Sequence, residues 1–390
     1  LLLEKRTFKE LLVDMELRNL QNNIVGQEAS RLFARAEINM GVEAFRDSLY
    51  SLLKRNTFLN IKFENMLDTL GEISRTDIRS LLGEWEKTTP LPFYSLGEPT
   101  LTKITNKGGE EFFVLKMLIS NNSDYDGIIH MDIRKDGWWY QPLEDPRAKT
   151  KIEMPAHTSK EFVSVWEDQI RNVEINTMVS GNLPNIISQD INNVKQERNK
   201  IVKDSIYILP ESSFDLPGEI IVDNEDSTLF ILSAPPIVGL LPKWLDEVEE
   251  TPFKYSGISW WRPPLQWTAT TNDRYYGKYI RSAFVIKSGD GSQTATWKVP
   301  VPEVGQYDLY YHVFKDDELR WNNNLQGEYH FKVKYGSEVE DAYVNLRKAN
   351  EGWEQLGSYY FDSDTIRVVL TDECKLRSVT ADAVKIVKRY

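Results

Sequence analysis

The spacing of apolar residues predicts that the first part of the chain is helical. Within residues 8–15, 45–53 and 78–85, apolar side chains recur every three or four positions, which places them on one face of a helix. Pro90 ends the last of these patterns, because proline lacks the amide donor that a helix interior needs. The pattern therefore predicts a helical segment over residues 1–91.

From residue 92 onward, apolar and polar residues alternate with the period of two that is typical of β-strands. Strands separated by turn-forming residues predict an immunoglobulin-like β-sandwich over residues 92–181. The more polar residues 182–217 predict a connector, which could contain one short helix. Strand spacing over residues 218–390 predicts a jelly-roll β-sandwich, so the expected fold class is multidomain α+β.

One of these predicted strands, residues 307–313, shows the alternation clearly. Tyr307 and Leu309 are expected on one side of a sheet, while Tyr310 and His312 are expected on the other.

The charge balance argues against nucleic acid and anionic lipid as partners. The chain has 59 acidic and 47 basic residues and a formal net charge of -12 at pH 7, which opposes binding to phosphate groups.

Cys374 is the only cysteine, so an internal disulfide is impossible. The most apolar stretch, residues 229–245, is interrupted by three prolines, and we therefore expect no membrane insertion by this chain.

The last part of the chain resembles the golvesin and xanthan-lyase C-terminal domain. The resemblance covers residues 218–390 and rests on six blocks in order: 222–226, 275–277, 294–297, 305–307, 353–357 and 381–384. It implies a fold similar to carbohydrate-binding modules, with Trp267, Trp297 and Trp353 in packing positions. The chain departs from the family at residues 227–265, a long insertion that contains prolines and tryptophans.

The helical segment resembles the closing helices of the catalytic unit of gluzincin aminopeptidases, which a β-sandwich follows. The similar stretches are 32–33, 40–41, 45–46, 67–70 and 77–92. This resemblance implies the extracytoplasmic, periplasmic tail of a bacterial membrane protein, such as a permease fused to an aminopeptidase-like unit. The tail would be tethered to the membrane through an N-terminal part that is missing here.

The family's zinc motif, His-Glu-x-x-His, would lie upstream of those helices. None of the four histidines, His130, His157, His312 and His330, begins such a motif. We therefore expect no catalytic residue, no metal and no cofactor in this chain.

Adjacent aromatic residues in the insertion provide the candidate site. Trp260, Trp261 and Arg262 precede two prolines, and indoles in such a setting can stack on sugar faces or proline-rich peptides. Arg262 would add a charge-assisted hydrogen bond. The alternative is that both indoles are buried and hold the insertion against the sandwich, since large exposed apolar patches are uncommon.

The sequence thus predicts a non-catalytic region that binds or positions a glycan or protein partner for a larger membrane-associated, aminopeptidase-like protein. The upstream part of the same polypeptide is itself an expected partner. The alternative is that this region structurally completes a zinc metallopeptidase whose catalytic motif lies upstream.

Overall fold

In a computed structural model of the chain, helices lie in the N-terminal part and β-strands follow, as expected for a multidomain α+β chain rich in β-sheet. The chain divides into two units, Leu1–Phe214 and Asp215–Tyr390, each with its own apolar core. The structure describes residues 5–14, 18–57, 59–75, 77–82, 90–135, 141–198, 202–210, 218–233, 254–259, 261–315 and 327–389.

The predicted helical segment contains five helices within its described residues. They are α1 (Phe8–Val13), α2 (Arg18–Met40), α3 (Val42–Arg55), α4 (Phe63–Ser74) and α5 (Ile78–Leu82). Leu32, Phe45 and Leu67 lie in the core that α2, α3 and α4 share. Leu53, which belongs to the predicted stripe of α3, is instead 63% exposed, because it lies about 100° around the helix from the buried Leu52.

Two β-sheets follow the helices in the described part of the first unit. The first has the order β10-β2-β3-β7-β11 with β1 paired to β3, and the second has the order β5-β4-β8-β9 with β6 paired to β4. Their strands are β1 (Tyr94–Leu96), β2 (Thr100–Thr105), β3 (Glu111–Asn121), β4 (Gly127–Lys135), β5 (Gln141–Pro142), β6 (Lys149–Met154), β7 (Thr158–Trp166), β8 (Ile170–Asn176), β9 (Ile186–Asp190), β10 (Val194–Arg198) and β11 (Ser205–Pro210). Leu115 of the first sheet and Met131 of the second lie in one core.

Residues 182–217, for which the sequence predicts a connector, differ from that expectation because they contain three strands. β9, β10 and β11 pair with β8, β2 and β7, respectively. β10 and β11 form the two edges of the first sheet, and most of their side chains are exposed. An exposed edge strand needs no alternating apolar face, so the sequence of β10 is as polar as that of a linker.

Three sheets make up the described part of the second unit. Their orders are β12-β23-β17-β20, β13-β16-β21-β18-β19 and β14-β15-β22. Their strands are β12 (Glu219–Val222), β13 (Phe230–Leu232), β14 (Thr268–Thr271), β15 (Ser282–Lys287), β16 (Thr294–Pro300), β17 (Gly305–Val313), β18 (Glu328–Tyr335), β19 (Glu338–Asn345), β20 (Gly352–Phe361), β21 (Thr365–Thr371), β22 (Ser378–Ala381) and β23 (Val384–Lys388).

All three sheets contribute to the core of the second unit. Trp297 of β16 is fully buried and contacts the ring of Tyr311 from β17, with the ring centroids 6.2 Å apart. Trp267 is partly buried and packs against the same core. Tyr307 and Leu309, which the alternation places on one side of β17, are both buried.

None of the helices in the described part of the chain is both long enough and apolar enough to cross a membrane.

Candidate binding site

The predicted site residues Trp261 and Arg262 lie at the surface of the second unit. The side chain of Trp261 is 80% exposed, and the guanidinium carbon of Arg377 lies 4.8 Å from the centroid of its ring. Arg262 is also exposed, and its backbone amide donates a hydrogen bond to the carbonyl of Ser259 at 2.9 Å. Trp260, the third predicted residue, lies outside the described residues.

Backbone hydrogen bonds hold this turn against the second unit. The amide of Lys287, the last residue of β15, donates to the carbonyl of Pro264 at 2.7 Å. The alternative in which the indoles are buried therefore does not describe Trp261, because the described part of the turn is held through its main chain while this indole faces solvent.

A second group of aromatic residues lies on the outward side of the sheet β12-β23-β17-β20. On β17, Tyr310 and His312 alternate with buried residues and so point away from the core. His312 is paired with Trp353 of β20, and Tyr310 is paired with Lys385 of β23. Since paired residues share one side of a sheet, four side chains of three strands meet on this surface.

Tyr276, from the loop between β14 and β15, completes this surface. Its ring centroid lies 5.1 Å from that of Trp353 and 5.8 Å from that of His312, and the latter two are 5.2 Å apart. The interplanar angles of 58°, 60° and 77° are those of tilted and edge-on contacts, which aromatic rings favour. We call Tyr276, His312 and Trp353 the aromatic triad.

A buried carboxyl group lies directly beneath the aromatic triad. Asp382 is fully buried, and its Oδ2 is 2.8 Å from Nδ1 of His312. The backbone amide of Tyr276 donates to both carboxylate oxygens, at 3.2 and 3.1 Å. Burial raises the pKa of Asp382, and the neighbouring His312 opposes that rise. The hydrogen bond fixes the orientation of the His312 ring and directs its Nε2 away from Asp382.

Two polar atoms of the aromatic triad have no hydrogen-bond partner among the residues that the structure describes. They are Nε2 of His312 and Nε1 of Trp353. Both are suited to an external ligand, because the indole N–H donates and the second imidazole nitrogen accepts when the first carries the proton.

Two cations near the aromatic triad are each paired with a carboxylate. Lys385 Nζ lies 4.8 Å from the Trp353 ring centroid and 3.0 Å from Oε1 of Glu219. Nη1 of Arg274, in the same loop as Tyr276, lies 3.2 Å from Oε1 of Glu351. Each pair offsets the charge of its own cation.

Further buried polar groups adjoin Asp382. In the amide orientation that satisfies its neighbours, Asn224 donates to Oδ1 of Asp223 at 2.8 Å and accepts from the hydroxyl of Ser282 at 2.7 Å. Burial, and then the charge of Asp382, raises the pKa of Asp223 to about 8. In the described part of the chain, no group of three or more His, Cys, Asp or Glu side chains is arranged to hold a metal ion.

The sequence indicated part of this second surface without identifying it. The alternation predicted that Tyr310 and His312 share one side of the sheet, opposite Tyr307 and Leu309. Tyr276, Trp353 and Asp382 lie within the blocks that carry the family resemblance, but Trp353 was interpreted as a packing residue. The structure corrects that interpretation, because Trp353 is half-buried on the outward side and contacts Tyr276 and His312 there. The alternation of β17, which separates His312 from Tyr307 and Leu309, was the available signal.

Comparison with known proteins supports the resemblance of the last part of the chain. The family model of the golvesin C-terminal domain matches residues 263–388, which include the aromatic triad and Asp382. No curated protein matches the chain.

The similarities to solved structures are distant. A β-glucuronidase from Bacteroides uniformis is 13% identical, with a TM-score of 0.22; the match covers 82% of this chain and 32% of that one. The Legionella pneumophila aminopeptidase A, solved in complex with aspartic acid, is 17% identical with a TM-score of 0.15, and the match covers 32% of this chain and 14% of that one. This chain therefore spans about a third of the glucuronidase, and scores this low support no functional inference.

Proposed function

We propose that the second unit is a non-catalytic binding module that recognises a glycan or protein partner through Trp261 and Arg262. In this proposal, the module works outside the cytoplasm as part of a larger, membrane-associated and aminopeptidase-like protein. Its sheets form a jelly roll, and the sheets of the first unit form an immunoglobulin-like sandwich. The family match at residues 263–388 supports the golvesin-like resemblance from which a carbohydrate-binding-like fold is expected, and Trp261 and Arg262 directly precede the matched residues.

The single observation that carries the proposal is the exposed indole of Trp261. An indole that is 80% exposed keeps a large apolar surface in water, and burying that surface against a partner is favourable. The guanidinium of Arg377 lies over the ring at 4.8 Å and restricts its orientation. A rigid aromatic anchor loses little entropy on binding, and tryptophan and arginine are the residues on which interface affinity most often depends.

A glycan array and a pull-down from extracytoplasmic extracts would identify the partner, and Trp261→Ala would test the site. We expect this change to weaken binding by about 30-fold, since the loss of a central aromatic anchor costs about 2 kcal/mol. Tyr360→Ala is the matched control, because Tyr360 is an exposed aromatic residue elsewhere in the same unit (59% exposed). Equal binding by both variants would reject Trp261 as the site.

The alternative function, completion of an upstream zinc metallopeptidase, predicts a different result. Zinc-dependent hydrolysis of aminoacyl reporters by the full-length protein would then be lost when residues 1–390 are deleted. Under our proposal the deletion abolishes partner binding and leaves any upstream peptidase active. The isolated chain should not hydrolyse these reporters with or without added zinc, and turnover that a chelator abolishes would contradict this expectation.

A further inference from the structure

We propose a second ligand site, for a neutral saccharide, on the aromatic triad of Tyr276, His312 and Trp353. This site is independent of the function proposed for Trp261 and Arg262. It rests on three properties of the surface: its support from a buried carboxyl group, its two polar atoms without a partner among the described residues, and the pairing of Lys385 and Arg274 with carboxylates.

Asp382 holds two residues of the aromatic triad in position. Asp382 is fully buried, although a carboxyl group in such a place is costly unless it is hydrogen-bonded. Its hydrogen bonds go to His312 Nδ1 and to the amide of Tyr276, so they fix the ring of one triad residue and the main chain of another. The surface is therefore ordered before a ligand binds, which lowers the entropy cost of binding.

The chemistry of these two unpaired atoms matches a sugar ring. The C–H face of a pyranose packs on aromatic rings, and its hydroxyl groups both donate and accept hydrogen bonds. One hydroxyl can donate to Nε2 of His312, and a neighbouring hydroxyl can accept from Nε1 of Trp353. The centroids of the two rings lie 5.2 Å apart, so one saccharide can contact both rings.

The charges at the surface favour a neutral ligand over an acidic one. Lys385 is paired with Glu219, and Arg274 is paired with Glu351. A uronate or phosphate would have to compete with these carboxylates for the cations, in a chain whose net charge is already -12. A quaternary ammonium ligand is also disfavoured, because the three rings contact one another and enclose no cage between them.

The two proposed sites are separate on the surface of the second unit. Arg377, which contacts Trp261, precedes the four-residue strand β22, and Asp382 follows that strand. Five residues of extended chain correspond to about 17 Å. Substitution of Trp261 should therefore leave binding at the aromatic triad intact.

Isothermal titration with a panel of defined hexasaccharides tests the proposal. The panel contains neutral hexamers of glucose, mannose, xylose and galactose, and oligogalacturonate as the acidic member. We expect the chain to bind at least one neutral hexamer and to bind it more tightly than oligogalacturonate. Trp353→Ala should weaken this binding by at least tenfold, and Trp353→Phe, which retains a ring but lacks the N–H, by about fivefold.

Two controls keep the outcome specific. Tyr343→Ala, at a 57% exposed aromatic residue of β19, should bind as tightly as the unsubstituted chain. Trp261→Ala should also keep the saccharide affinity, so a loss of affinity in Trp261→Ala alone would support the first site and reject this one. The proposal is also overturned if no neutral hexamer binds, if oligogalacturonate binds best, or if folded Trp353→Phe and Trp353→Ala chains bind as well as the original.

Discussion

His312 and Asp382, which are 70 positions apart in the chain, form a hydrogen bond of 2.8 Å between Nδ1 and Oδ2. The side chain of Asp382 is fully buried and that of His312 is 12% exposed, so the bond joins the interior of the second unit to its aromatic surface. His330 and Asp341 form a bond of the same length on another sheet, but there Asp341 is 56% exposed. The two hydrogen bonds differ mainly in the burial of the aspartate, so comparing them shows how much burial adds to the contribution of the bond.

The first prediction uses this comparison. Asp382→Ala should lower the unfolding free energy of the second unit by about 3 kcal/mol or more, because it leaves buried donors without their acceptor. Asp341→Ala removes an exposed partner and should cost about 1 kcal/mol or less. Urea denaturation followed by tryptophan fluorescence measures both. Similar losses in the two variants would show that burial of Asp382 does not determine its contribution.

The second prediction concerns the effect of pH on stability. The pKa of Asp223 is raised to about 8 in the folded chain, whereas an unfolded aspartate titrates near about 3.9. Between these values the folded chain retains a proton that the unfolded chain has released. The unfolding free energy should therefore fall as pH rises from about 4 to 8, by up to about 1.4 kcal/mol per unit from this group.

Replacement of Asp223 tests whether this residue causes the fall of the unfolding free energy with pH. Asp223→Asn should flatten the decline measured by urea denaturation between pH 5 and pH 8. Asp290→Asn is the control, since Asp290 is exposed and its hydrogen bonds with Ser292 lower its pKa. A decline of equal steepness in the Asp223 variant would mean that another group is responsible.

The third prediction is that a buried and an exposed tryptophan contribute very different amounts to the free energy of unfolding. Trp297→Ala should cost about 3–5 kcal/mol of stability, because the side chain is fully buried and its Nε1 donates to the carbonyl of Asp382 at 3.2 Å. Trp261→Ala should change stability by about 0.5 kcal/mol or less. Thermal unfolding of the two variants tests this contrast. A large loss in Trp261→Ala would instead indicate that the indole is a structural contact.

The fourth prediction is that residues 215–390 fold when expressed alone. This unit has a core to which all three of its described sheets contribute, and domains with their own core usually fold independently. The isolated fragment should be soluble and should melt cooperatively when followed by circular dichroism. Aggregation of the fragment, while the whole chain stays soluble, would place the domain boundary elsewhere.

Several features of this protein were determined by local sequence alone. The change of apolar period near residue 92 predicts the order of helices and strands, because each period reflects the geometry of one element. Alternation within β17 likewise predicts that Tyr307 and Leu309 share one side of the sheet and that His312 lies on the other; the first side is the buried one. The insertion at Trp261 was identified from its composition, and its indole is exposed.

Tertiary structure alone decided which of these residues meet. The register of β17 with β20 brings His312 beside Trp353, and the turn after β22 places Asp382 beneath them. Residues 194–198 form a strand because they pair with the edge of a sheet, and their local sequence pattern does not predict one. A local period constrains only the direction of a side chain relative to its own element. Contacts between residues 70 positions apart depend on strand pairing and on the packing of separate sheets, and no local pattern records either.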